Sequence, residues 1–212
     1  MKALFKAIRD RDTDKIIELI AKKPDLVNCT AKQPPKKDDG QSPLQVALKT
    51  GNFWAVKYLL ENGADVNFID TTSVYEWKMP VLHDAIMATV SLARFEFPVD
   101  PWNGEKKDLY ELKGVKEHFD KTFSLLRLMI DKGADVNSVD SYGNTVLMRA
   151  CAGIEYRWTN KKRPLPNETI EDLKQIFDLL ISSGAEIHRS TPTRKAITEM
   201  KKLLLEQLKI AI

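Results

Sequence analysis

The chain has 212 residues, of which 43% are apolar and 30% charged, and a formal net charge of +3. That describes a folded protein with one sizeable core rather than a disordered chain, and it lacks the concentrated basic face that general nucleic-acid binding requires. Its two cysteines, Cys29 and Cys151, are too few for a disulfide framework or a four-cysteine zinc site, and its most apolar stretch, Met79 to Phe95, is broken by His83, Asp84 and Arg94, so no membrane span is expected.

No signal-peptide apolar stretch follows Lys2, so the expected location is cytoplasmic. Leu4, Phe5 and Ile8, then Ile16, Ile17, Leu19 and Ile20, predict two short helices with Arg9, Asp10, Arg11 and Asp12 on a charged outer face. The run Pro34-Pro35-Lys36-Lys37-Asp38-Asp39 reads as a solvated loop. Ser42 then caps a helix that opens with Pro43. Val56, Leu59 and Leu60 form the buried stripe of the next helix, which Gly63 ends.

A further helix opens at Pro80-Val81-Leu82-His83-Asp84-Ala85. Beyond it Pro98, Pro101 and Gly104 predict a turn or loop, and Leu109, Leu112, Val115 and Phe119 predict a long helix that starts early. Its stripe continues through Leu126, Met129 and Ile130 to Gly133. Thr145 to Ala150 repeats the opening. Pro164 and Pro166 mark irregular chain before a helix capped by Asn167 or Thr169, whose stripe of Phe177, Leu180 and Ile181 runs to Gly184. Thr191 to Ala196 is a degraded opening. Ile197, Met200, Leu204 and Leu208 form the last stripe and leave Leu203, Leu205, Ile210 and Ile212 as spare apolar surface for a partner.

Two elements therefore recur in order. Gly63-Ala64-Asp65-Val66-Asn67 matches Gly133-Ala134-Asp135-Val136-Asn137 and Gly184-Ala185-Glu186-Ile187-His188, with Pro24-Asp25-Leu26-Val27-Asn28 a worn copy. Upstream, Ser42-Pro43-Leu44-Gln45-Val46-Ala47 aligns with Pro80 to Ala85 and Thr145 to Ala150. At these residues the chain resembles the ankyrin repeat family, whose units of about 33 residues carry T-P-L-H-x-A and form a β-turn plus two helices. The resemblance implies an all-α solenoid with short hairpin fingers: an N-terminal capping repeat at 1–37, repeats at 38–69, 70–139 and 140–188, and a degenerate cap at 189–212.

Spacing departs from the family in two repeats. Ser42 to Gly63 is 21 residues, whereas Pro80 to Gly133 is 53 and Thr145 to Gly184 is 39. Insertions at 89–118 and 153–168 are therefore expected side by side on the edge opposite the fingers. They hold Trp102 and Trp158, which would either pack together or meet a partner.

The resemblance implies a non-catalytic protein–protein interaction module acting through its concave face. Asp39, Gln41, Tyr75, Trp77, Ser141 and Tyr142 are expected there from the fingers and Gln45, Asp84 and Arg149 from the inner helices, while Trp102 and Trp158 offer the insertion edge as a further contact surface. A stand-alone immunity or antitoxin-like inhibitor of an enzyme is the alternative, and a cryptic enzyme the remote one, since no catalytic motif occurs. The expected partner is a protein; no cofactor, metal, nucleic acid or membrane is expected, and the chain is expected to be a monomer. His83, at the histidine of the family motif, is expected to satisfy backbone groups; Asp70 and Asp140 to bond their own turns; and Cys151 to fill the core.

Overall fold

The computed structural model describes residues 1–33, 35–73, 76–99 and 109–210. Helices come in pairs. The first is α1 (Lys2–Asp10) with α2 (Thr13–Lys22), and the second α3 (Pro43–Lys49) with α4 (Phe53–Glu61). Then come α5 (Val81–Leu92) with α6 (Lys116–Asp131), α7 (Val146–Arg157) with α8 (Asn167–Ser182), and the short α9 (Ile197–Met200) and α10 (Lys202–Gln207). The inner helices α1, α3, α5 and α7 lie side by side, and α4, α6 and α8 form a second layer behind them.

Short polar side chains start several of these helices. The Ser42 hydroxyl accepts from the Gln45 amide at 3.2 Å while Gln45 Oε1 accepts from the Ser42 amide at 3.3 Å, a reciprocal cap over Pro43 in the first turn. Asn52 caps α4 through the Ala55 amide at 3.1 Å, and its Nδ2 donates to Ile8 O at 2.9 Å, so one side chain starts a helix and ties it to the preceding pair.

The outer helices end alike. At Gly63, Gly133 and Gly184 the backbone turns to φ of 85°, 88° and 97°, and the amides of the glycine and of the following alanine bond back to the last helical turn. Seven residues before each glycine stands Val56, Leu126 or Phe177, every one fully buried in the shared core. These equivalent slots are what a stack of two-helix modules requires, since no module covers its own apolar side.

A ladder of asparagines links the modules. Asn28 Nδ2 donates to Gly63 O at 3.0 Å and Asn28 Oδ1 accepts from the Asp65 amide at 2.8 Å. Asn67 does the same to Gly133 and Asp135 at 2.9 and 2.8 Å, and Asn137 to Gly184 and Glu186 at 2.8 and 3.0 Å. Each asparagine thus satisfies a donor and an acceptor of the next module. The worn copy ending at Asn28 performs the same role as the clean ones.

The fingers are short hairpins marked by isolated antiparallel bridges, Ile69 to Pro80 and Val139 to Thr145. They stack closely. Ser141 donates its amide to Lys78 O at 3.0 Å and accepts from the Lys78 amide on its hydroxyl at 2.9 Å. Gly40 (φ 77°) faces the next finger so tightly that a Cβ would stand 2.2 Å from Asp70 Oδ1, which leaves glycine as the residue that fits.

Between α5 and α6 the structure corrects the expected long helix. Tyr110–Lys113 is strand β2, paired antiparallel with β1 (Phe95–Pro98), and α6 begins only at Lys116. Leu109, Leu112 and Val115 are exposed, and Phe119 alone of that stripe is buried. Gly114 explains the break: its φ of 112° is closed to most residues, and it lies against the Arg94 backbone. A small antiparallel hairpin is therefore added to an otherwise helical fold.

The hairpin rests on the segment between α7 and α8. Tyr110 Oη accepts from Asn160 Nδ2 at 2.9 Å, the Arg163 guanidinium lies 4.4 Å from the Tyr110 ring centroid, and Arg163 pairs with Glu96 at 3.5 Å. Neither Asn167 nor Thr169 caps α8, a second correction. The Thr169 hydroxyl instead donates to Arg94 O at 2.6 Å, and fully buried Asp172 accepts from Arg94 N, Nε and Nη2 at 3.0, 3.0 and 2.7 Å. Backbone and side chain of one arginine are thereby fixed to α8.

The C-terminal region differs from expectation as well. Thr191 to Arg194 forms a turn rather than a helix opening, and the last stripe is split between α9 and α10. Leu205 and Ile210 are buried, which leaves Leu203 exposed; Ile212 lies outside the described residues.

Candidate partner-binding surface

An open groove of about 750 Å³ runs between the fingers and the inner helices. Gln41 comes from the first finger, Asp70 and Trp77 from the second, Lys49 from α3, and Met87 and Leu92 from α5. Asp84, Met87, Ala88 and Ser91 follow the i, i+3, i+4, i+7 spacing that places them on one face of α5. Trp77 and Met87 are 41% and 38% exposed. Large apolar side chains so placed cost hydration in the free protein, and they are common anchors when a partner covers them.

The candidate residues divide into those on this surface and those that build it. Gln41, Gln45, Trp77 and Asp84 line the groove. Gln45 and Asp84, however, are buried beneath it rather than exposed to a partner. Gln45 Nε2 donates to Met79 O at 3.0 Å and to Asp84 Oδ2 at 3.1 Å, joining α3 to α5 and the second finger. Half-buried Asp39 bonds within its own finger and accepts from the Gln33 amide and Nε2 at 3.3 and 3.4 Å.

Trp77 organises the far end. Its Nε1 donates to Asp140 Oδ2 at 3.0 Å, the Arg149 guanidinium lies 4.8 Å from its ring centroid, and the Tyr142 ring lies 6.3 Å away, tilted by 45°. Arg149 is mostly buried and pairs with Asp140, so it anchors the tryptophan rather than reaching out. Tyr142, 45% exposed, is open. Trp158 is buried on the opposite edge, with its Nε1 donating to Arg163 O at 3.1 Å; it stabilises the inserted segment. Tyr75 and Trp102 lie outside the described residues. Asp140 bonds its own turn as expected, through the Tyr142 and Asn144 amides at 3.0 and 2.8 Å, but its bond to Trp77 escaped sequence reasoning, as did Met87 and Leu92, although the helical spacing from Asp84 points to Met87.

Burial controls the titratable groups. It drives the His83 imidazole down to about 4, against the pull of its bond to Ser138 O at 3.2 Å, so the ring is neutral at pH 7. Burial likewise lifts the Asp84 carboxyl to about 6, more than Lys49 and Gln45 lower it. It pushes the Cys151 thiol up to about 12, which leaves it an unreactive core residue. At Asp70 burial is outweighed by hydrogen bonds from Ser73 and Thr72, and at Asp140 by those from Asn144, Trp77 and Arg149, so both stay below the usual carboxylate range. Among the described residues no group of three or more His, Cys, Asp or Glu is placed to hold a metal ion, and no helix is long and apolar enough to cross a membrane.

A family model described as ankyrin repeats (3 copies) matches residues 1–70. Over 110 residues, half of this chain, the sequence is 36% identical to an ankyrin repeat protein of fowlpox virus (strain NVSL). Both matches are to ankyrin repeats, the family that the chain resembles over these residues. The chain spans about 15% of the length of that relative. Ankyrin repeats are in general protein–protein interaction modules, and their stacked geometry explains why: successive fingers and inner helices form a rigid concave surface, so little ordering entropy is lost on binding.

Proposed function

We propose that this ankyrin-repeat chain is a non-catalytic module that holds a protein partner along its concave groove, from Gln41 through Trp77 and Met87 to Leu92. The supporting observation is the groove itself, where exposed Trp77 and Met87 stand beside buried polar groups. Convex α4 also exposes an aromatic residue, Trp54, but it stacks on Tyr58 at 5.2 Å within its own helix.

Affinity capture with the wild type and three variants tests this reading. Trp77→Ala and Met87→Glu are each expected to lose the captured protein at least tenfold, while Trp54→Ala retains it. Capture that survives Trp77→Ala and Met87→Glu but fails with Trp54→Ala would move the site to the outer layer.

A further inference from the structure

We propose that the groove selects partner segments that insert an arginine or lysine, flanked by apolar residues, onto the floor where Lys49 now rests. This inference depends on the concave-face reading and names the chemistry of the occupant.

Two acceptors on the groove, Asp84 and Gln41 Oε1, keep unused hydrogen-bond capacity. Asp84 Oδ2 takes one hydrogen bond, from Gln45, and the cation beside Oδ1 is Lys49 Nζ at 3.6 Å, beyond hydrogen-bond reach. A carboxylate offers about four lone-pair sites. Gln41 Oε1, on the same groove, is buried without a hydrogen-bond partner among the described residues. Two of the other buried carboxylates are more fully bonded: Asp172 by Arg94, and Asp140 by its own turn, Asn144, Trp77 and Arg149.

The neighbouring charges leave room for a cation. Lys49 is 39% exposed and sits at the end of α3 on a flexible stem, so moving its ammonium into water costs little. Lys78 stands 3.8 Å from Asp70, Arg149 is paired with Asp140, and Arg11, at one end of the groove, donates to Thr50 O at 3.3 Å. An incoming guanidinium brings five donors and can meet a carboxylate through two parallel bonds. Met79, Met87 and Leu92 supply adaptable apolar walls for the flanking residues. The raised Asp84 carboxyl fits this picture, because a cation seated beside it would restore the charged form.

The test selects binders from a random dodecapeptide library on the intact protein and maps them by amide chemical shifts. A recovered peptide is then compared with its counterpart carrying neutral citrulline for arginine, or norleucine for lysine. Groove-binding peptides enriched in basic residues, and at least tenfold weaker after neutralisation, are expected. Asp84→Asn should erase that difference while melting no lower than the wild type at pH 7, whereas Lys49→Met, which removes the competing ammonium, should tighten binding severalfold. Peptides that occupy the groove with no basic preference, or a preference that survives Asp84→Asn, overturn this inference and leave the concave-face reading standing. Peptides that map to α4, α6 or α8, or a selection that yields no groove binder, overturn both.

Discussion

Asp172→Ala should destabilise the protein by about 3–5 kcal/mol, the usual result of removing one partner from a buried ion pair. The carboxylate is fully buried and holds Arg94, whose side chain is 14% exposed, through three hydrogen bonds, with Lys116 at 3.5 Å. Its loss leaves the Arg94 amide and Nε without their acceptor at the base of the hairpin, with Nη2 held by Glu171 and the Glu168 carbonyl at 3.0 and 3.3 Å. Hydrogen bonding to Asp172 is also the main reason that the Arg94 pKa lies above its ordinary value. Asp172→Asn keeps one acceptor and the side-chain shape, and should cost less. Urea denaturation followed by far-ultraviolet circular dichroism measures both; a loss below about 1 kcal/mol for alanine would show that the contact holds nothing in place.

Phe177→Ala is the second large effect, expected at about 3–5 kcal/mol because a fully buried aromatic side chain is deleted and the site collapses only partly. Phe177 occupies the slot that Val56 and Leu126 fill in the preceding modules. Leu203→Ala, at a side chain 53% exposed, should change stability by less than about 0.5 kcal/mol. Equal effects of the two substitutions in the same urea titration would contradict the assignment of a shared spine.

These slots were legible in the sequence because their signals are local. Helical spacing marks Val56, Leu126 and Phe177, and the recurring Gly-Ala-Asp-Val-Asn marks each helix end. The role of Asn28, Asn67 and Asn137 between modules was not legible, since each bonds a residue 35 or more positions away. The hairpin was misread for a similar reason. Leu109, Leu112 and Val115 imitate a helical stripe, whereas pairing with Phe95–Pro98 and the backbone of Gly114 decide the outcome. At the groove, the sequence identified Asp84 and Trp77 but not their different fates. Asp84 is covered by Gln45 and Lys49 from the neighbouring module, while Trp77 is held upright by Asp140 and Arg149.

The most direct test of the concave surface is hydrogen–deuterium exchange of the protein alone and with its captured partner bound. Slower exchange is expected in peptides covering residues 41–51 and 76–92, with α4 and α8 unchanged. Slowing confined to α4, α6 and α8, with the groove peptides unaffected, would contradict the account.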